Sequence, residues 1–138
     1  MTNHDINICK QTKLRLVCID DADFILLLRL NKNLNKYLSV TNADLEDQKK
    51  WLIEYKKREK NCIEYYFIIS SLSGNSLGTV RLYDFKEESF CWGSWIVKKN
   101  APTSTAIESA LLVYEFAFNQ LGFEQSHFEV RKDNLKVI

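Results

Sequence analysis

"WIVKKNAPTSTAIESALLVYEFAF", residues 95–118, joins two kinds of pattern. The apolar run Trp95, Ile96, Val97 reads as the end of a strand. It meets Lys98, Lys99, Asn100, the one proline of the chain (Pro102) and three hydroxyl residues, Thr103, Ser104 and Thr105. Behind them Ala106, Ile107, Ala110, Leu111, Val113, Tyr114, Ala117, Phe118 and Leu121 recur at three- and four-residue spacing. That is the period of an amphipathic helix, and Gly122 stands where a helix stops. First-turn amides have no partners inside a helix, and the helix dipole adds positive charge there. A strand ending before such a helix start can hold phosphate. The residues equally fit a plain corner, because proline at the first helical position beside Thr or Ser caps is an ordinary helix start.

Outward from this join, residues 12–19 (TKLRLVCI) are β-rich and begin with alternation, a strand pattern. Asp20 or Asp21 can cap a helix through the apolar run to Leu30. Thr41 or Asn42 can cap a second, with Leu45, Trp51, Leu52 and Tyr55 as its apolar stripe. Residues 64–70, 77–85 and 89–97 read as a three-stranded meander, turned at SLSGNS and KEES. QSHFEV, residues 125–130, is a further strand, and a helix crossover predicts that it runs parallel to the strand before the helix. The order is β-α-α-β-β-β-α-β, an α+β (α/β) domain with a mixed sheet.

The bulk numbers narrow the function classes. The 138 residues suffice for one domain and one core. A net charge of +1 speaks against a broad basic nucleic-acid face. The cluster Lys56, Lys57, Arg58 and Lys60 sits among glutamates and reads as a solvated helix end. Cys9, Cys18, Cys62 and Cys91 form no zinc spacing, and His4 and His127 are the only histidines. Buried free thiols in a reducing compartment are expected. No apolar run approaches the roughly 20 residues of a membrane span, and the N-terminus lacks an export core, which predicts a cytoplasmic protein.

Four stretches together resemble the GNAT superfamily of acetyl-CoA-dependent N-acyltransferases. They are LRLVCIDDADFILLLRL, DLEDQKKWLIEY, GTVRLYDF with FCWGSWIV, and AIESALLVYEFAFNQLGFEQSHFEVRKDN. The branch is similar to the Rim type, which acetylates ribosomal-protein N-termini, and to relatives acting on amino sugars. The family's pyrophosphate loop, Q/R-x-x-G-x-G/A, falls on Lys99, Pro102 and Ser104. Pro102 replaces a glycine and removes a backbone donor. A family helix that often supplies a tyrosine general acid would follow Asn134, and the chain ends at Ile138. The expectation is therefore a single GNAT-like domain over 1–138 without the C-terminal helix and last strands, whose open sheet edges favour a homodimer.

The resemblance implies acetyl transfer from acetyl-CoA to a primary amine of a small molecule, preferably a nucleotide-linked amino sugar. A protein N-terminus is the next acceptor, and a non-catalytic binding or assembly module is the competing class. Metal, nucleic acid and membrane are not implied. It places the pantetheine arm on Trp95, Ile96 and Val97, the pyrophosphate on Lys99, Thr103, Ser104 and Thr105, and Asn134 near the cofactor. Asn33, Tyr37, Tyr83 and Asp84 fall on the acceptor side, with Ser39 in the same loop as Tyr37. Glu88 matches a position where some members carry a catalytic Glu, and also reads as a turn residue in KEES. His127 can relay protons. Alternation puts it with Glu129, opposite core-facing Phe128 and Val130.

Overall fold

The computed structural model describes residues 8–9, 11–34 and 42–127, with the side chains of 11–30 and 44–127. Thr41, Tyr37, Ser39, Phe128, Glu129, Val130 and Asn134 lie outside the described residues, as does the side chain of Asn33. The strands are β1 (Ile8–Cys9), β2 (Thr12–Leu16), β3 (Tyr65–Ser71), β4 (Ser76–Lys86), β5 (Ser89–Val97) and β6 (Gln125–His127). The helices are α1 (Ala22–Leu34), α2 (Asn42–Lys60) and α3 (Thr105–Glu115), the last continued by a π turn (Phe116–Gln120). This is the expected order with a short β1 added. The strands form one sheet in sequential order. Every pair is antiparallel except β5–β6, which is parallel as the helix crossover predicts.

β3 is buried on both faces and reads as a nearly unbroken apolar run for that reason. Phe67 and Ile69 face α3, whereas Tyr66 and Ile68 face α1 and α2. On the α3 side, Leu14, Val80, Leu82 and Phe90 complete a core against Leu112, Val113, Phe116 and Ala117. On the other side, Val17, Ala22, Ile25, Leu52 and Tyr55 pack on Tyr66 and Ile68, with Leu45 and Trp51 at the margin.

Four sequence expectations change. The first strand stops at Leu16: the Val17 amide still donates to the Tyr66 carbonyl at 2.9 Å, and Asp21 then takes over the Cys18 amide. Its carboxylate accepts from the Cys18 N–H at 2.9 Å and from both terminal nitrogens of Arg15, at 2.9 and 2.8 Å. Asp21 thus caps from the third position of a short 3-10 turn (Ile19–Asp21) and not from in front of the helix.

The α3 stripe is rotated. Ile107 and Leu111 are 69% and 57% exposed, while Thr105, Glu108 and Ser109 are buried. The buried polar residues have partners that permit this: Glu108 accepts the Gln11 amide at 3.1 Å, and Ser109 donates to the Ala106 carbonyl at 2.9 Å. The basic cluster of α2 is not simply solvated. Lys56 donates to the Val17 carbonyl at 2.8 Å, and Arg58 pairs with nearly buried Glu64 at 3.0 Å. Among the described cysteines Cys91 is buried, but Cys18 and Cys62 are exposed free thiols.

Candidate active site

β5 leaves the sheet with the Lys98 amide donating to the Leu77 carbonyl at 2.8 Å. Two turns follow, closed by Ala101 N–H to Lys98 O at 3.1 Å and Thr105 N–H to Pro102 O at 3.0 Å. α3 begins only at Thr105. The sequence placed Pro102 in the first helical turn. The structure keeps it in the preceding loop, because the second turn uses its carbonyl before the helix starts. Thr103 is exposed and Ser104, the N-cap, is half-buried without a capping bond from its side chain. The amides of Thr103 and Ser104 meet no acceptor among the described residues. Thr105 is 1% exposed and its hydroxyl has no partner among the described residues. Lys98 and Lys99 are exposed.

β5 pairs with β4 along its length but with β6 only from Ser89 to Cys91. Beyond Cys91 that edge has no strand partner among the described residues, so its backbone donors and acceptors can receive an extended ligand as an added strand. A bulge interrupts this edge at Ser94, whose φ is +47°. Thr79 fixes it by donating its hydroxyl to the Ser94 carbonyl at 3.1 Å. The extra residue breaks the alternation. Trp92 and Trp95, three apart, therefore share a face: their indoles donate to Tyr114 Oη at 3.0 Å and Ser109 Oγ at 3.1 Å. Ser94 and Ile96 turn to the opposite face. A Cβ at Gly78 would stand 2.2 Å from the Ile96 carbonyl oxygen, so a glycine is required where β4 approaches this part of β5.

On that opposite face lies a pocket of about 290 Å³. Arg29 of α1, Gln48 and Trp51 of α2, Tyr66 of β3, Arg81 of β4 and Ser94 and Ile96 of β5 line it. Arg29 donates to Gln48 Oε1 at 2.9 Å. The Arg81 guanidinium lies 4.3 Å from the Tyr83 ring centroid and 5.9 Å from that of Trp51. Trp51 stacks on Tyr55 at 6.0 Å and meets Tyr66 edge-on at 5.7 Å. Burial pushes the Tyr66 phenol up, against smaller opposing effects of a Thr79 hydrogen bond and the Arg29 and Arg81 charges, so it stays a neutral donor.

The other candidates gather elsewhere. His127 bridges Ser89 Oγ on Nδ1 at 2.5 Å and Asp84 Oδ2 on Nε2 at 2.8 Å. The His127 hydrogen bond, helped by the neighbouring Lys86 charge, outweighs desolvation and holds the Asp84 carboxyl below the usual range. His127 sits opposite Cys91, roughly 10 Å along β5 from Ser94 at about 3.3 Å per residue. Glu88 is exposed in the β4–β5 turn, where its carbonyl accepts from Glu124 and Gln125 at 2.8 and 3.1 Å. Neither lines the pocket. Tyr83 stands behind Arg81, and Asp84 belongs to the His127 cluster. Asn33 is in the last turn of α1 by its backbone. Sequence reasoning missed Arg29, Gln48, Trp51, Tyr66 and Arg81 as pocket residues. The available signal was alternation: Arg81, between buried Val80 and Leu82, must face the helices on the other side.

The acetyltransferase (GNAT) domain family model matches residues 11–138. Comparison with curated protein sequences returns no match. Among solved structures the chain is similar to apo FdhC, a nucleotide-linked sugar GNAT, at 55% identity and a TM-score of 0.79, over 92% of this chain and 73% of that one. It shares the fold of the ribosomal-protein-S5-alanine acetyltransferase from Vibrio fischeri, at 14% identity and a TM-score of 0.69 over 94% and 76% of the two chains. The same holds for the spermidine/spermine N-acetyltransferase SpeG from Vibrio cholerae, at 20% identity and 0.62 over 92% and 72%. With its parallel β5–β6 pair, its bulged open strand edge and a family match over nearly the whole length, this chain belongs to the GNAT acetyltransferases and is an acyltransferase.

Proposed function

We propose that the protein transfers an acetyl group from acetyl-CoA to a primary amine of a nucleotide-linked amino sugar. The observation that carries this reading is the opening of the Arg29–Arg81 pocket beside the β5 edge at Ser94 and Ile96, which has no strand partner among the described residues. An acceptor in the pocket and an extended cofactor on the edge then meet at the bulge, and holding two reactants in line supplies much of the rate. The 55% identity to a nucleotide-linked sugar GNAT favours the same acceptor class.

Acetyl-CoA supplies an activated acetyl thioester. The backbone of Trp95, Ile96 and Val97 holds its pantetheine arm, and the free amides of Thr103 and Ser104 face its pyrophosphate with Lys99 beside them. The buried Thr105 hydroxyl, without a partner among the described residues, lies at the same helix start. Asn134 completes the cofactor contacts, and Asn33 and Tyr37 border the acceptor. Only the free amine attacks, so a proton must leave the ammonium. His127, held between Ser89 and Asp84 outside the pocket, is assigned the relay through bridging water and not by direct contact with the amine; Glu88 keeps a turn role. The same reading places the protein in the cytoplasm and pairs two copies along a sheet edge, which light scattering on the purified chain checks.

The test is incubation with acetyl-CoA and a nucleotide-linked amino sugar, read by mass spectrometry. The expected product gains one acetyl group. Ser104→Asp should raise KM for acetyl-CoA by repelling the pyrophosphate. His127→Ala should lower kcat about 10²-fold with KM for acetyl-CoA unchanged. Product formed equally by all three proteins would sink the assignment of these residues.

A further inference from the structure

We infer that Arg29 and Arg81 form an anion subsite inside the acceptor pocket that grips a phosphate of the acceptor and rejects polycationic amines. This deepens the reading above, since it takes the pocket to be the acceptor's.

The wall of the pocket contains, among the described residues, two guanidiniums and no carboxylate. Among the described residues Arg29 has one side-chain partner, the neutral amide of Gln48, and that glutamine is itself 4% exposed. The Arg81 Nε–H is buried and meets no acceptor among the described residues. A buried donor without a partner is costly, and charged donors most of all. Arg81 is one such shortfall, and the exposed guanidinium of Arg29 lines the same cavity; together they mark a place where a ligand anion completes the hydrogen bonding. Guanidiniums suit phosphate because their planar fork can donate two parallel bonds.

The residues behind the wall maintain this charge. Glu64 is the nearby carboxylate, and it is divided between Arg58 at 3.0 Å and Arg81 at 3.5 Å. Two guanidiniums thus share one carboxylate, and Arg29 adds a third positive charge whose side-chain partner among the described residues is a neutral amide, so the excess is positive. Glu64 and the Tyr83 ring hold Arg81 in place without neutralising the pair. Tyr66 stays protonated and adds no negative charge. Trp51, packed on Tyr55 and Tyr66, forms a fixed aromatic side of the cavity. At about 290 Å³ the pocket is at the small end of ligand sites. It fits one sugar-sized group with a charged substituent and leaves the nucleoside outside. A polyamine would bring further positive charge against unneutralised guanidiniums, and that repulsion is a means of exclusion.

The experiment is calorimetric titration of the full chain with thymidine diphosphate, uridine diphosphate, pyrophosphate and spermidine. Each is run with and without saturating coenzyme A, so that the helix-start site is occupied in one arm. Both nucleoside diphosphates are expected to bind in the presence of coenzyme A, and spermidine is not. Arg29→Gln and Arg81→Gln should each weaken diphosphate binding at least tenfold. Arg29 is exposed, so Arg29→Gln should keep the wild-type melting temperature and stays informative if Arg81→Gln unfolds. Pyrophosphate binding as tight as the nucleoside diphosphates assigns the subsite to phosphate alone; weaker binding adds a nucleoside contact, and the subsite stands in both cases. Nucleoside diphosphate binding that Arg29→Gln leaves unchanged, its absence from the folded chain, or tighter binding of spermidine overturns the proposal. If coenzyme A fails to bind while diphosphate binding still depends on Arg29, the acetyl-transfer reading falls and the anion subsite survives.

Discussion

The two faces of the sheet solve different problems with the same strands. Facing α3, β3 and β4 present Phe67, Ile69, Val80 and Leu82, which pack without a charged group against Leu112, Val113 and Phe116. Facing α1 and α2, the alternate residues begin as apolar core at Ile68 and end as Arg81, Tyr83 and the bulge residue Ser94. The first face is full and the second is left open where it turns polar. A charged side chain under a helix needs partners, and supplying Glu64, Trp51 and Gln48 for that purpose leaves space that apolar packing would have filled. A pocket therefore forms beside the dense core without a separate domain to carry it.

Substitutions on the two faces should differ in the same sense. Phe67→Ala removes a ring 1% exposed and 5.1 Å from Phe116, and should cost about 3–5 kcal/mol in urea unfolding. A loss below about 1 kcal/mol would show that the α3 face can collapse and is not the rigid partner of the comparison. Glu64→Gln leaves Arg58 and Arg81 without their shared carboxylate and should cost about 1–3 kcal/mol. No loss would mean that the arginines stand by their aromatic contacts alone.

Asp21→Asn, at the edge of the α1/α2 face, should cost about 1–2 kcal/mol at pH 7. Burial would raise the Asp21 carboxyl, but the Arg15 and Cys18 hydrogen bonds and the Arg15 charge outweigh it and leave it lowered. A lowered folded-state pKa gives stability that is present above the unfolded value of about 3.9 and lost as pH falls through the folded value. The gap between wild type and Asp21→Asn should therefore close below about pH 4, and a gap unchanged at pH 2 would contradict the linkage. Asp84, also lowered, carries the same sign with the smallest effect, because its pair with His127 is solvent-accessible. Its contribution is read as a slightly earlier acid midpoint in Asp84→Asn melting curves.

Much of this fold was legible because it rests on local pattern. The meander from Tyr65 to Val97 was readable from β-rich runs and from turns that need Gly74 or short polar residues. The parallel partner of β5 followed from the intervening helix. The orientation of α3 was not legible. Its apolar residues at 107 and 111 fit a helical stripe, but partners from distant segments, Gln11 for Glu108 and Trp95 for Ser109, pull polar residues inward. The candidate site divided in the same way. The β5 edge, without a strand partner beyond Cys91 among the described residues, and the helix start follow from segment order, and the structure places Trp95, Ile96, Val97, Thr103 and Ser104 around them. Asp84 and His127, 43 residues apart, carried no sign that they would bind each other and not the pocket.

The sequence by itself determined the order of elements, the parallel crossover and the location of the strand-to-helix join, because periodicity, turn chemistry and chain connectivity act over neighbouring residues. Tertiary structure alone decided where the charge would gather. Arg29, Gln48, Trp51, Tyr66, Arg81 and Ser94 come from five elements, and each reads as an ordinary helix or strand residue in its own segment. Only the bulge at Ser94 and the packing of two helices over the sheet bring them around one cavity. Side-chain electrostatics depend on distance in space, and distances between elements are set by packing rather than by position along the chain.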